Sequence, residues 1–272
     1  ITYEGQLSLK TQKVKDVIER IGHQNPDLVK PALGPKEPWA YRNKMQMPVG
    51  GTKGNIQMGF YAMGSHDIVQ GTNCPIQDEG NNIIAQACYQ IAKEFDIEPY
   101  DEQTEKGVLR HIIGRIGQSG WMIILVTATE QLPHKEKWVE KLTERIPQVE
   151  TIVHNVNGKR TNVILGPKNN ILYGDGTITD HIKDLQFTLS PHSFFQVNPE
   201  QTTVLYDQAL SYADLIGDET VIDAYCGTGT ISLFLAHKAK HVIGIEIVEP
   251  AIINARENAR RNGYDNTEFI VA

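Results

Sequence analysis

The stretch TVIDAYCGTGTISL, residues 220–233, decides the fold of this chain. Its β-branched, apolar start predicts a buried strand that ends at Asp223, and its last residues predict the start of a buried helix. Gly227 and Gly229 lie in the loop between them, and glycines let the backbone approach a ligand closely. Because the first N–H groups of a helix are free, the stretch predicts a strand–loop–helix turn that can bind a ligand.

Two acids indicate which ligand this turn suits. A dinucleotide site has glycine or alanine at the third position of its glycine motif, where this chain has Ser232. In such a site the Asp223 carboxylate would also lie beside the negatively charged pyrophosphate, so both residues argue against a dinucleotide. A carboxylate there suits a cationic ligand with hydroxyls and an amino acid tail, which describes S-adenosylmethionine. Glu246 ends the next predicted strand, about 20 residues past the loop, where an acid commonly holds ribose hydroxyls. The alternatives are an NAD site and a structural βα turn with a solvated Glu246.

The sequence around this turn predicts an α/β fold. Asn198 and Pro199 indicate a helix start before the central strand, and a helix from Glu249 to Gly263 and a strand at residues 269–271 follow it. This order predicts one β-α-β-α-β half of a doubly wound, Rossmann-like sheet. The preceding hairpins and helices predict an α+β domain. We expect three parts: an N-terminal helix and connector at 1–30, a central α+β domain at 31–184, and the first half of the doubly wound domain at 185–272.

Composition limits the class of protein. The chain has 272 residues, 40% of them hydrophobic and 22% charged, which is typical of a globular protein without membrane spans. Its net charge of −7 argues against a uniformly basic nucleic-acid binder but allows a local basic face. Its 3 cysteines do not form a disulfide framework, so we expect a cytoplasmic protein. Because the first residue is Ile1 rather than Met, we expect the chain to be part of a longer protein.

Basic residues are concentrated on two predicted strands of the central domain. Arg42 and Lys44 lie in a hairpin with Phe60, and Arg110 and Arg115 lie in a strand at residues 107–116 that we expect to be partly exposed. Basic and aromatic side chains together can bind RNA phosphates and stack on bases. We therefore predict that the four basic residues form one RNA-binding face turned toward the cofactor site. A solvated hairpin with a few core aromatics is the alternative.

Several motifs, in the same order, resemble the RNA uracil-C5 methyltransferases, which make 5-methyluridine. SFFQVN at 193–198, DAYCGTGTISL at 223–233 and GIE at 244–246 are similar to the signatures of that family. AYRNKMQMPVG at 40–50, MGFY at 58–61, SHDIV at 65–69 and NCPI at 73–76 resemble its central domain. The resemblance covers most of the chain and is strongest to bacterial members that act on 23S ribosomal RNA.

The resemblance implies roles for single residues. Gln196, Tyr225 and Glu246 would contact S-adenosylmethionine, and Thr230, where some members have Asn, is grouped with Asp223, Gly227 and Gly229 in the same cofactor site. Cys74 matches the fourth ligand of the [4Fe–4S] cluster that some members carry. The other three ligands lie upstream in the family, and four are needed. A cluster is therefore an expectation for the full-length protein only.

The resemblance also implies a covalent mechanism. In the family a cysteine adds to C6 of the uracil, C5 takes the methyl group, and a base removes the C5 proton. Neither the motif that contains the nucleophilic cysteine nor the motif that contains the base occurs before Ala272. We therefore expect no catalytic residue in this chain and no activity from it alone. The full-length protein is expected to be a monomer that binds RNA, most simply 23S ribosomal RNA, and no membrane. The alternatives are a non-catalytic RNA-binding module of this fold and an S-adenosylmethionine methyltransferase acting on tRNA.

Overall fold

The computed structural model describes residues 1–272, with six α-helices and twelve strands. The helices are α1 Tyr3–Arg20, α2 Glu79–Glu94, α3 Lys135–Arg145, α4 Pro199–Ala213, α5 Thr230–Ala236 and α6 Glu249–Arg261. The strands are β1 Lys44–Thr52, β2 Asn55–Tyr61, β3 Ile68–Gln70, β4 Leu109–Ile116, β5 Trp121–Thr127, β6 Val149–Val156, β7 Lys168–Tyr173, β8 Ile178–Ile182, β9 Leu185–Leu189, β10 Thr220–Ala224, β11 His241–Glu246 and β12 Thr267–Val271. None of the helices has both the length and the apolarity that crossing a bilayer requires.

A seven-stranded sheet in the order β3-β2-β1-β4-β5-β6-β7 forms the central region. Adjacent strands within the sheet run antiparallel, except for β5 and β6. These two run parallel because α3 connects them as a crossover helix. The predicted hairpin is present as β1 and β2, with its turn at residues 53–54. Strand β4 lies at the middle of the sheet, and both of its faces are covered, because Ile112 belongs to one buried cluster and its neighbour Ile113 to another.

Helices α2 and α3 cover one face of this sheet. Helix α2 begins where the Asp78 carboxylate accepts the N–H of Gly80 at 2.8 Å, which satisfies a free donor of its first turn. Ile84, Cys88 and Ile91 follow at helical spacing and are fully buried. Trp138 of α3 packs into the same cluster. Burial of each large side chain stabilises the fold by about 1.5–3 kcal/mol.

The opposite face of the sheet packs on the C-terminal region. Ile113 of β4 and Met122 and Ile124 of β5 share one buried cluster with Phe187 of β9 and Phe269 of β12. The two regions therefore have a common core on this side of the sheet. Residues near the C-terminal end of β4 consequently lie beside the segment that contains the predicted cofactor residues.

The predicted β-α-β-α-β unit is confirmed. Strands β10, β11 and β12 are parallel and adjacent in that order, and α5 and α6 connect them. The helix before them begins as predicted, because the Asn198 side chain accepts the N–H of Gln201 at 3.0 Å and Pro199 is the first helical residue. Strand β10 is an edge strand of this sheet, and its Ile222 side chain is 64% exposed.

A β-hairpin crosses the predicted boundary between residues 184 and 185. Strands β8 and β9 pair in antiparallel register from Ile178 with Leu189 to Ile182 with Leu185. Both strands also contribute to the cluster that contains Ile252 of α6. We therefore propose that the second unit begins at Ile178. A hairpin turn has the same polar composition as a linker, and only the pairing distinguishes them.

Candidate cofactor site

The loop after β10 has a backbone conformation that its residue types explain. Gly227 and Gly229 have φ of 55° and 80°. A Cβ on Gly227 would meet nothing within 4 Å, whereas one on Gly229 would lie 3.0 Å from the Phe269 ring and 3.1 Å from Ala255. Gly227 thus leaves open space beside the backbone for a ligand, and Gly229 allows the loop to pack on α6 and β12.

Tyr225 has an unusual conformation within the same loop. Its φ is 66°, a left-handed value that costs a residue with a Cβ about 1 kcal/mol or more. Its side chain is 89% exposed, so packing does not explain the choice of residue. A strained, exposed aromatic at the end of a parallel strand is a feature of binding sites. The ring is free to pack against a ligand.

Glu246 closes the other side of the loop. It is the last residue of β11, and its carboxylate accepts the N–H of Gly227 at 3.2 Å and the N–H of Val248 at 2.9 Å. Glu246 therefore lies within hydrogen-bonding distance of the glycine loop. Each carboxylate oxygen has a second lone pair, so the group can still accept hydrogen bonds from a ligand.

Asp223 lies at the end of β10 and is half-buried. Burial raises the pKa of its carboxyl, and the hydrogen bonds it accepts from Ser232 act in the opposite direction. The Ser232 hydroxyl donates to the Asp223 carboxylate at 2.5 Å and is fully buried. Sequence reasoning used Ser232 only to argue against a dinucleotide and missed its role of holding the acid at the loop.

The segment 193–198, which contains Gln196, is held from the central sheet. Arg115 donates from Nη2 to the carbonyl of Ser193 at 2.7 Å, and the N–H of Asn43 donates to the carbonyl of Val197 at 2.9 Å. Phe195 is 5% exposed and packs against Phe187 with ring centroids 5.6 Å apart. The side chain between these anchors, Gln196, is half-buried and makes no hydrogen bond within the chain.

Helix α6 connects this segment with the glycine loop. The Asn258 amide donates to the carbonyl of Thr228 at 3.0 Å, and the Asn254 amide donates to the Ser193 hydroxyl at 3.5 Å. No hydrogen bond joins Gln196 to Glu246, and their convergence on one ligand remains a prediction. The Thr230 hydroxyl is paired with the Tyr206 hydroxyl of α4 at 2.9 Å, which ties the start of α5 to its neighbour.

The four predicted RNA-binding cations do not form one exposed face. Arg110 is 4% exposed, lies at a β-bulge, and donates from Nη1 to the carbonyls of Asn157 and Lys159 at 2.5 and 2.8 Å. Its guanidinium also lies 4.5 Å from the centroid of the Tyr100 ring. Arg115 is 2% exposed and is bonded to Ser193. The expectation of a partly exposed strand is wrong, because buried clusters pack on both faces of β4, through Ile112 on one side and Ile113 on the other.

Three of these cations nevertheless lie together. Lys44 is the register partner of Arg115, and burial together with the charges of Arg115 and Arg42 lowers the pKa of its ammonium to about 8. Arg42 is half-buried directly before β1. The cluster lies beside the 193–198 segment, whereas Arg110 lies at the other end of β4. Phe60 is 36% exposed on β2 and is not part of this cluster.

The cysteines do not supply a metal site or an activated thiol. No group of three or more His, Cys, Asp or Glu side chains is arranged to hold a metal ion, and Cys74, Cys88 and Cys226 are all free. Burial, and then the charges of Asp223 and Glu246, raises the pKa of the Cys226 thiol to about 12. Burial also raises the pKa of Cys88. The donor set of this chain therefore does not fit an iron–sulfur cluster by itself.

Comparison with known proteins agrees with this geometry. A family model described as a methyltransferase domain matches residues 217–272. A protein of Halalkalibacterium halodurans named an uncharacterized RNA methyltransferase is 50% identical over 100% of this chain and 60% of its own length. Relatives with the same description in Bacillus cereus and Clostridium tetani are 50% and 49% identical over 99% and 100% of this chain, each over 59% of its own length. The chain thus spans about 60% of the length of the relatives it matches.

A solved structure has the same fold. The Pyrococcus abyssi tRNA (uracil-54, C5)-methyltransferase, crystallised with S-adenosyl-L-homocysteine, superimposes with a TM-score of 0.81 over 100% of this chain and 63% of that protein, at 24% identity. The mixed α/β architecture predicted from the sequence is therefore confirmed as a Rossmann-like methyltransferase fold. The chain is a relative, over its whole length, of proteins named RNA methyltransferases, and it has the fold of S-adenosylmethionine-dependent methyltransferases.

Proposed function

We propose that this chain forms the RNA-facing and cofactor-binding part of an enzyme that methylates C5 of uracil in RNA, with 23S ribosomal RNA as the substrate. The observation that carries the proposal is the Glu246 carboxylate fixed against the N–H of Gly227, with Asp223 at the neighbouring strand end. Open α/β sheets bind ligands at the carboxyl ends of their strands. This arrangement supports a nucleoside ligand with free hydroxyls.

The residues at this edge fit S-adenosylmethionine, which supplies an electrophilic methyl group when bound. Glu246 would accept hydrogen bonds from the ribose hydroxyls, and Asp223 would offset the positive charge of the ligand. Gly227 leaves the open space that such a ligand needs. The exposed Tyr225 ring would cover one face of the ligand, and the unpartnered Gln196 amide would bind its polar end. Gly229 and Thr230 would act through the loop, by fixing its packing and the start of α5.

The RNA substrate is supported by the names of the relatives and by the cation cluster at the start of β1. Arg42 and Lys44 lie beside the 193–198 segment, so RNA bound there would reach the cofactor edge. A tRNA substrate is the second candidate, because the protein with the matching fold is a tRNA methyltransferase. We place the activity in the cytoplasm and expect the enzyme to act as a monomer.

The nucleophile of the proposed mechanism is expected outside residues 1–272. Addition to C6 of uracil needs a thiolate, and a thiol with a pKa of about 12, such as Cys226, is almost entirely protonated near pH 7. Cys74 would contribute a single ligand to an iron–sulfur cluster if the full-length protein carries one. We assign no step of the reaction to that cluster.

The test is a methyl-transfer assay with the product of the complete gene. We expect labelled methyl groups to appear as 5-methyluridine in unmodified 23S ribosomal RNA and not in tRNA, and Glu246→Ala to abolish the transfer. Residues 1–272 alone should transfer none. Methylation of another atom, or of tRNA alone, would contradict the proposed substrate. RNA binding without any methyl transfer by the complete protein would support a non-catalytic module instead.

A further inference from the structure

A second concave site lies on the central sheet, away from the cofactor loop. It is a cavity of about 340 Å³ between the β1–β2 hairpin, the segment 61–68, the segment 100–103 and the start of β4. It lies on the sheet face opposite α2 and α3, because His111 alternates with Ile112 along β4 and Ile112 belongs to the α2–α3 cluster. The SHDIV motif at residues 65–69 contributes to this cavity, and the proposed chemistry does not use it.

An aromatic pair forms one wall of the cavity. The rings of Tyr61 and His66 are stacked, with centroids 4.8 Å apart and an interplanar angle of 15°. His66 Nδ1 lies 2.6 Å from Glu102 Oε2, which fixes the orientation of the imidazole. Tyr61 lines the cavity and remains 38% exposed, so its side chain is accessible to a ligand there. A prepositioned aromatic stack is a platform for a third flat ring.

A buried imidazole with a free nitrogen also lines the cavity. His111 is 7% exposed, and its Nδ1 atom has no hydrogen-bond partner. Burial, and then the charge of Arg110, lowers the pKa of His111 to about 4, while the charge of Glu102 acts in the opposite direction. The ring is therefore neutral at pH 7. Leaving a buried polar atom unpaired costs about 1–3 kcal/mol. Because the Nδ1 atom is itself inaccessible, the neutral ring offers the cavity an uncharged surface and not a hydrogen-bonding group.

The charges around the cavity exclude an anionic ligand. Asp67, Asp101 and Glu102 line it, and its one arginine, Arg110, is already bonded to two backbone carbonyls. A phosphate would therefore meet three carboxylates and a single guanidinium whose Nη1 is already engaged. The remaining chemistry suits a flat, uncharged ring with hydrogen-bonding groups at its edge, as in a nucleobase.

We propose that this cavity holds one unpaired base of the substrate RNA, distinct from the uracil that is methylated. The proposal rests on the proposed RNA substrate. His111 and Arg115 lie on the same face of β4, four residues or about 13 Å apart. An RNA strand at the cofactor edge therefore passes within reach of the cavity. The base stacks on Tyr61 beside the neutral His111 ring, and its phosphates remain outside in the solvent.

The test uses residues 1–272 and a fluorescein-labelled, single-stranded 20-nucleotide pool made from partially hydrolysed 23S ribosomal RNA, at fixed salt. Tyr61→Leu removes the ring, Tyr61→Phe keeps it, and Tyr173→Leu changes an exposed tyrosine of β7 as a control. Stacking of one base contributes about 1–3 kcal/mol. Tyr61→Leu should therefore weaken binding at least about fivefold, while Tyr61→Phe and Tyr173→Leu stay within about twofold.

Ultraviolet crosslinking of the same pool locates the base directly. We expect crosslinked nucleotides on peptides that contain residues 57–68 or 100–111. RNA binding that Tyr61→Leu leaves unchanged, with crosslinks only at the 193–198 segment or the cofactor loop, would overturn the base site alone. Absence of any RNA binding by the wild-type chain would overturn both the base site and the proposed RNA substrate.

Discussion

Replacing His111 with glutamine removes a histidine whose burial couples stability to pH. The folded pKa of about 4 lies below the ordinary value of 6.5, so between these pH values the unfolded chain binds a proton that the folded chain excludes. The contribution of His111 to stability is therefore complete above pH 6.5 and is lost as the pH falls toward 4. Arg110 and Glu102 are the charged groups that act on this ring.

The size of the effect follows from the two pKa values. A difference of about 2.5 in pKa corresponds to about 3 kcal/mol when the pH is below both values. At pH 5 the unfolded chain is almost fully protonated at this residue and the folded chain is not, so about 2 kcal/mol is lost relative to pH 7. His111→Gln has no titrating ring and should lack this portion of the acid destabilisation.

The assay is urea unfolding at pH 7 and pH 5, followed by tryptophan fluorescence. Trp138 is fully buried on the other face of the same sheet, so its emission reports unfolding of the domain that contains His111. The free energy of unfolding of the wild type should fall by about 2 kcal/mol more than that of His111→Gln between the two pH values. His23→Gln, at an exposed position, is the control. Equal losses in the wild type and His111→Gln would refute the burial argument and weaken the case for a neutral imidazole in the cavity.

Three further predictions concern the loop and its supports. Gly229→Ala should lower the free energy of unfolding by about 1–3 kcal/mol in urea, because the residue has φ of 80° and its Cβ would lie 3.0 Å from Phe269; no loss would contradict the packing role. Arg115→Met should weaken S-adenosylhomocysteine binding in a titration, because it frees the carbonyl of Ser193, while unchanged affinity would mean that the 193–198 segment is held without it. Cys226 should resist iodoacetamide at pH 8 under native conditions, as measured by mass spectrometry, because its thiol is 5% exposed and has a pKa of about 12, and fast labelling would contradict both values.

The C-terminal unit could be predicted from the sequence because its signals are local. A β-branched strand, two glycines and an acid at the next strand end lie within 27 residues of one another, and short parallel connections bring them together. The sequence alone therefore places Glu246 beside Gly227. The start of α4 at Asn198 is equally predictable, because an N-cap is a contact between residues three apart.

The burial of Arg110 and Arg115 could not be predicted in this way. A strand with basic residues looks exposed in sequence, and only the tertiary packing, with buried clusters on both sides of β4, shows that both faces are covered. The apolar residues Ile112 and Ile113 were the available signal, since adjacent apolar residues on a strand face opposite sides. Tyr61 and His111 were missed as a site for the same reason, because strand pairing brings them together across 50 positions.

The most direct test of the proposed cofactor site is calorimetric titration of residues 1–272 with S-adenosylhomocysteine. Glu246→Gln removes the charge from the carboxylate that lies on the Gly227 loop, and Glu249→Gln removes the charge from an exposed acid three residues further along. Hydrogen bonds to charged groups contribute about 1.5–3 kcal/mol, so Glu246→Gln should weaken binding at least about tenfold, while Glu249→Gln binds like the wild type. Equal affinity of the wild type and Glu246→Gln, or no binding by the wild type, would contradict the assignment of this loop as the cofactor site.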